Sequence, residues 1–144
     1  MRDKIILLIE DDPDDIELIQ RSLKKGNIAN QIIVLRDGVE AVDYFFGEGN
    51  DDRLLPQLIL LDLKLPKISG LELLQKLRSQ ERTRLLPVVI LSSSDEAPDI
   101  EASYELGANS YVRKPVDFIQ FSEAVQHLGL FWLVLNESPS SRGL

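Results

Sequence analysis

Five times in succession, an apolar run of strand length is followed by a stretch of helix length whose apolar residues stand three and four apart. No other feature constrains the fold as much. Ile5 to Ile9 contains only isoleucine and leucine, as a strand covered on both faces should. Asp12-Pro13 reads as an N-cap and first-turn proline, and Ile16, Ile19 and Leu23 then form one helical stripe that Gly26-Asn27 ends. Later strands are expected at Ile32 to Leu35, at Leu58 to Leu61, at VVILS after Pro87 and at Ser110-Tyr111-Val112. The intervening helices open at Asp37-Gly38, run from about Leu71 to Arg78, and run more weakly from about Asp99 to Leu106. A last helix, capped by Asp117, sets Phe118, Phe121, Val125 and Leu128 on one face.

Strand-helix units without hairpin signals imply a parallel sheet with right-handed crossovers. A chain of 144 residues has room for five such units and not for an eightfold barrel. The expected fold is therefore α/β: a five-stranded doubly wound parallel sheet of order 2-1-3-4-5, flavodoxin-like (βα)5, with an extended C-terminal helix. One domain is expected over 1–136, with the ESPSSRGL segment at 137–144 as a flexible tail. No apolar run approaches the roughly 18 residues that span a bilayer, and no signal-peptide pattern opens the chain, so a cytoplasmic protein without a membrane partner is expected. The absence of cysteine excludes disulfides and thiolate metal sites. A formal charge of -8 argues against direct nucleic acid binding, which needs a clustered basic surface.

In this topology ligands bind outside the carboxyl ends of the strands, beside the switch point between strands 1 and 3. Strand 1 ends at Glu10-Asp11, strand 3 at Asp62, strand 4 at Ser92 and strand 5 just before Lys114. Three converging carboxylates repel one another unless a hard cation neutralises them, and an all-oxygen set suits Mg²⁺. Lys114 adds a compact positive charge and Ser92 a hydroxyl that can donate to an oxyanion. Together they have the logic of an aspartyl-phosphate site. Each part has an ordinary explanation as well: a dipole complement, a loop aspartate, a Lys114-Pro115 turn, a polar Ser92-Ser93-Ser94 connection. Their joint occurrence at four strand ends favours the phosphoryl site. Asp12 is assigned to the helix cap, and Asp14 and Asp15 to the helix dipole at a few tenths to about 1 kcal/mol each.

LLIEDD (7–12), LILLDLKLPKISG (58–70), VVILSSS (88–94) and GANSYVRKP (107–115) occur in that order. They resemble the signature segments of the receiver domains of two-component response regulators, the CheY-like family, and the resemblance covers about residues 3–130. It implies Mg²⁺ held by Glu10, Asp11 and Asp62 with the backbone carbonyl of Lys64. It further implies that Asp62 accepts a phosphoryl group from a sensor histidine kinase, that Lys114 binds its oxygen, and that Ser92 is the switch hydroxyl. Tyr111 matches the switch aromatic that turns inward when that hydroxyl moves. The segment from Asp99 to Leu106, with few apolar anchors, is then the moving element, and the output is a changed surface for a downstream protein. Lys64 and Ser94 stand where this family tunes phosphate hydrolysis, and Asp12 adds charge beside the acidic pair.

LGLFWLVL (128–135) holds seven apolar residues in eight. Trp132 and Leu135 continue the stripe of the last helix, whereas Phe131, Leu133 and Val134 fall off it. Either they cap the bottom of the core or they cover a partner subunit, which makes Phe131, Trp132, Leu133 and Val134 the expected homodimer interface. The Phe-Trp-Leu extension resembles that of single-domain regulators paired with phytochromes, which implies a phytochrome-type light-sensing kinase as partner. His127 is expected on the helix surface. Two other functions compete with a non-enzymatic switch. A haloacid-dehalogenase-type phosphatase wants a second aspartate two positions after the nucleophile, where Lys64 stands. A pseudo-receiver that only binds partners is opposed by the intact set of Glu10, Asp11, Asp62, Ser92 and Lys114.

Overall fold

The computed structural model describes residues 5–25, 31–48, 55–114 and 118–130, over which five strands and five helices alternate. They are β1 (Ile5–Ile9), α1 (Pro13–Lys25), β2 (Gln31–Leu35), α2 (Gly38–Phe46), β3 (Leu58–Leu61), α3 (Gly70–Ser79), β4 (Val88–Ser92), α4 (Ala97–Glu105), β5 (Ser110–Arg113) and α5 (Phe118–Leu130). All strands are parallel, in the order β2-β1-β3-β4-β5. This is the expected doubly wound sheet.

Element boundaries move by a residue or two, for local reasons. α3 starts at Gly70 rather than Leu71 because Ser69 and Glu72 close a capping box there. α4 starts at Ala97 rather than Asp99, since Pro98 fits a first turn that has no use for its missing N–H. Asp37 caps α2 as expected, its side chain accepting the Glu40 N–H. Asp12 does the same for α1, its Oδ1 accepting the Asp14 N–H at 2.8 Å.

Strand alternation divides the core between the two faces of the sheet. Ile6, Leu8, Leu58, Leu60, Val89 and Leu91 point to one face, where Ile16, Ile19 and Leu23 of α1 and Val125 of α5 cover them. Leu7, Ile9, Ile59, Leu61, Val88 and Ile90 point to the other, against Ala41, Tyr44 and Phe45 of α2 and Leu73, Leu74 and Leu77 of α3. Truncating one of these, such as Leu60→Ala, removes about 2 to 5 kcal/mol. With both faces covered, the strand ends are the natural places for chemistry. α4 contrasts with the other helices, for Ser103 is its only fully buried residue.

Arg78, in the last turn of α3, staples the far side of the sheet. Its guanidinium donates to the carbonyls of Gly107, Arg84 and Leu86 and to Asn109 Oδ1. Asn109 Oδ1 also accepts the Val88 N–H at 2.8 Å, so the start of β4 and the approach to β5 hang on one side-chain pair.

Gly26-Asn27, the Asp117 cap, Phe131, Trp132, Leu133, Val134, Leu135 and the 137–144 tail lie outside the described residues, as do the side chains of Phe118, Phe121 and Leu128. His127 is exposed, as expected. Among the described residues no helix is long and apolar enough to cross a membrane.

Candidate functional site

The backbone ladder sets the site. Ile9 pairs with Leu61, so Glu10 and Asp62 leave the sheet side by side. The Asp62 N–H donates to the Ile9 carbonyl at 3.0 Å, and the Glu10 N–H donates to that of Leu35 at 3.0 Å. At the next strand end the Lys114 N–H donates to the Ser92 carbonyl at 2.7 Å, which seats the lysine at the same rim. Two glycines let the surrounding loop close. A Cβ on Gly70 would lie 2.3 Å from the Asp62 carbonyl oxygen, and one on Gly38 would lie 2.2 Å from that of Ile68. Between them Lys67 takes a left-handed φ of 73° and places Nζ 3.3 Å from Asp37 Oδ2.

The expected carboxylates meet. One oxygen each from Glu10, Asp11 and Asp62 lie within 4.8 Å of one another. Glu10 and Asp62 are buried and Asp11 is exposed, so the cluster opens to solvent on one side. Lys114 Nζ donates to Glu10 Oε1 at 2.7 Å and to Asp15 Oδ2 at 2.8 Å, and stands 3.9 Å from Asp62 Oδ2. Burial pushes the Glu10 carboxyl up to about 7, against the bond from Lys114, while the charge of Asp62 pushes the same way as burial. Burial also raises Asp62, although Lys114, a hydrogen bond with Glu10 and the Lys64 N–H oppose it. For Lys114 burial favours the neutral amine, yet bonds to Asp15 and Glu10 and the charge of Asp62 outweigh it and hold the ammonium.

One ammonium thus faces three carboxylates, Glu10, Asp15 and Asp62, and the oxygens of Glu10 and Asp62 converge with that of Asp11. Such a donor set fits a hard divalent cation, which would offset the burial that disfavours the charged forms of Glu10 and Asp62.

Ser92 is fully buried at the end of β4, its Oγ accepting the Ser94 N–H at 3.1 Å. The Ser94 hydroxyl donates to Asp99 Oδ2 of α4 and accepts the Glu96 N–H at 3.3 Å. Tyr111 is half-buried, and its hydroxyl is engaged with the Ser94 carbonyl. Ser92, Ser94, Asp99 and Tyr111 therefore form one hydrogen-bonded chain from the acidic rim to α4. Asp15 and Asp99 are the two participants that the sequence did not single out for the site. Their spacing along the chain carries no signal of partners on other elements.

A family model for the response regulator receiver domain matches residues 6–126. Response regulator Rcp1 of Synechocystis is 39% identical over 139 residues, covering 96% of this chain and 95% of that protein. A solved Mn(2+)-bound form of Rcp1 superposes with a TM-score of 0.87 at 38% identity, over 94% of this chain and 99% of that one. The phosphorylated cyanobacterial phytochrome response regulator RcpA gives a TM-score of 0.90 at 38% identity, over 96% and 100% of the two chains. Bacteriophytochrome response regulator RtBRR is 51% identical with a TM-score of 0.75, over 96% of this chain and 85% of that one. Fold, strand-end chemistry and relatives agree, and the chain belongs to the response regulator receiver domains of two-component signalling.

Proposed function

We propose that Asp62 accepts a phosphoryl group from a phosphohistidine on a sensor histidine kinase, and that the change at Asp62 reshapes a protein-binding surface. The observation that carries this reading is the meeting of Glu10, Asp11 and Asp62 oxygens within 4.8 Å beside the Lys114 ammonium. An Asp62 carboxylate oxygen attacks phosphorus, the P–N bond breaks, and the imidazole nitrogen takes the electron pair. Positioning and charge neutralisation dominate such a transfer. Glu10, Asp11 and Asp62, with the Lys64 carbonyl, would hold Mg²⁺, which when bound supplies charge neutralisation at the phosphoryl oxygens. A bound Mn²⁺ in Rcp1 supports a divalent ion here. Lys114 offers its ammonium, and Ser92 its hydroxyl, to the phosphoryl oxygens. Tyr111 and α4 then respond through Ser94. No turnover of a small substrate is involved, so the protein acts as a switch rather than an enzyme.

The relatives RcpA and RtBRR support a phytochrome-type kinase as the donor, and we read the exchange as cytoplasmic, where ATP would charge such a donor. We read Phe131, Trp132, Leu133 and Val134 as a homodimer interface on composition, since a run of seven apolar residues in eight seeks cover. Sedimentation tests this, for Trp132→Glu should leave a monomer.

The test of the main reading is incubation with Mg²⁺ and acetyl phosphate or phosphoramidate. Expected is a hydroxylamine-sensitive adduct of one phosphoryl mass on the wild type and none on Asp62→Ala. No wild-type adduct, or an undiminished one on the variant, rejects the phosphoacceptor.

A further inference from the structure

Asp15 occupies the first turn of α1, a position that its sequence context explains by the helix dipole alone. Its carboxylate has a more specific task. A lysine ammonium carries three N–H donors. Here Glu10 Oε1 takes one at 2.7 Å and Asp15 Oδ2 another at 2.8 Å, while Asp62 Oδ2 at 3.9 Å is beyond hydrogen-bonding range. The Lys114 side chain is 12% exposed and that of Asp15 28%, so water screens this pair only in part. Asp14, the preceding residue, bears the same charge but is exposed, and its carboxylate makes no such bond.

We propose that Asp15 is a positioning residue that holds Lys114 away from Asp62 and so limits how strongly the site takes up a phosphoryl group. This rests on the reading of Asp62 as phosphoacceptor. The third N–H is uncommitted, but Nζ is fixed by its two anionic bonds 3.9 Å from Asp62 Oδ2, so drawing it closer to a phosphoryl oxygen there stretches one of them. Glu10, with a side chain 2% exposed, has little water with which to replace its bond. Asp15 is more exposed and rehydrates at lower cost, so its bond is the one released. Removing the Asp15 charge removes a competitor for the lysine. A cation at the Glu10–Asp11–Asp62 cluster would draw on Glu10 but not on Asp15, which stays the competitor for the lysine.

The test is fluoroberyllate binding, at saturating Mg²⁺, to the full chain and to Asp15→Asn, Asp15→Glu and Asp14→Asn. Asp15→Asn should bind about three- to tenfold tighter than wild type, the range for a partly exposed ion pair. Asp14→Asn, an equal change of charge one residue away, should stay within about twofold, and Asp15→Glu should restore wild-type affinity. In the metal-free protein the Lys114 Nζ resonance, slowed in exchange by its bonds, should broaden on Asp15→Asn and not on Asp14→Asn. Equal or weaker binding by Asp15→Asn, an equal gain from Asp14→Asn, or an Nζ signal indifferent to Asp15 overturns the proposal. If the wild type takes up no fluoroberyllate, the phosphoacceptor reading itself is rejected and this inference with it. If the wild type binds and Asp15→Asn gains nothing, only the inference fails.

Discussion

The Tyr111 hydroxyl donates to the Ser94 carbonyl across 2.8 Å, which joins β5 to the loop after β4 by a bond between residues 17 apart. Tyr111→Phe keeps the ring against the core and deletes that bond alone. Stability should fall by about 1 kcal/mol, the net worth of a part-buried neutral hydrogen bond, as read from urea denaturation with an unchanged m-value. A loss near zero would mean that the hydroxyl is equally well served by solvent.

Asp62 sets stability against function. Its carboxylate is buried and its pKa is raised by that burial, so the ionised form is disfavoured in the folded, metal-free protein. Asp62→Asn keeps the shape without the charge. It should stabilise the metal-free protein at neutral pH by about 1 kcal/mol while abolishing phosphoryl labelling. Thermal denaturation and mass spectrometry on the same samples check both halves.

Glu10 gives the site a pH dependence of definite sign. Its carboxyl titrates near 4.5 ordinarily and at about 7 in the fold, so between those values the native state holds a proton that the unfolded chain has released. The contribution of this group to metal-free stability is present below about pH 4.5 and is lost as pH rises through about 7. A cation needs the ionised form, so its affinity runs the other way. Isothermal titration with Mg²⁺ should show binding about tenfold tighter at roughly pH 8 than at roughly pH 6. Glu10→Gln should flatten that slope.

Gly70 is held by contact rather than by an unusual φ. A Cβ there would meet the Asp62 carbonyl oxygen at 2.3 Å and the Leu63 Cα at 2.8 Å, both backbone atoms that cannot swing aside. Gly70→Ala should cost more than about 2 kcal/mol and displace Asp62, lowering both the thermal midpoint and the yield of phosphoryl adduct. Ser69→Ala, which removes only the cap of the same helix, should cost about 1 kcal/mol and leave the adduct intact.

Strands and strand order were legible because burial on both faces writes an unbroken apolar run, and Ile5–Ile9, Leu58–Leu61 and the first four residues of β4 each do so. The convergence of Glu10, Asp11, Asp62 and Lys114 followed, since a parallel sheet brings the ends of its strands to one rim. What stayed hidden were side-chain pairs between elements. Lys114 and Asp15 are 99 residues apart, and periodicity reports which way a residue faces, not which loop it will meet. Arg78 looked like an ordinary basic residue in a last helical turn. Its four acceptors come from the segments on either side of β4, and their meeting depends on the finished packing.

α4 buries only Ser103 fully and is tied to the rim through Asp99 and Ser94. Its outward residues, among them the half-exposed Tyr104, therefore add little to the stability of the core. Substitutions there are cheap for folding and leave the carboxylate rim at Asp62 untouched. Copies of such a gene could change the outer face of one helix while inheriting the same carboxylate rim, so this face is free to vary where the rim is not.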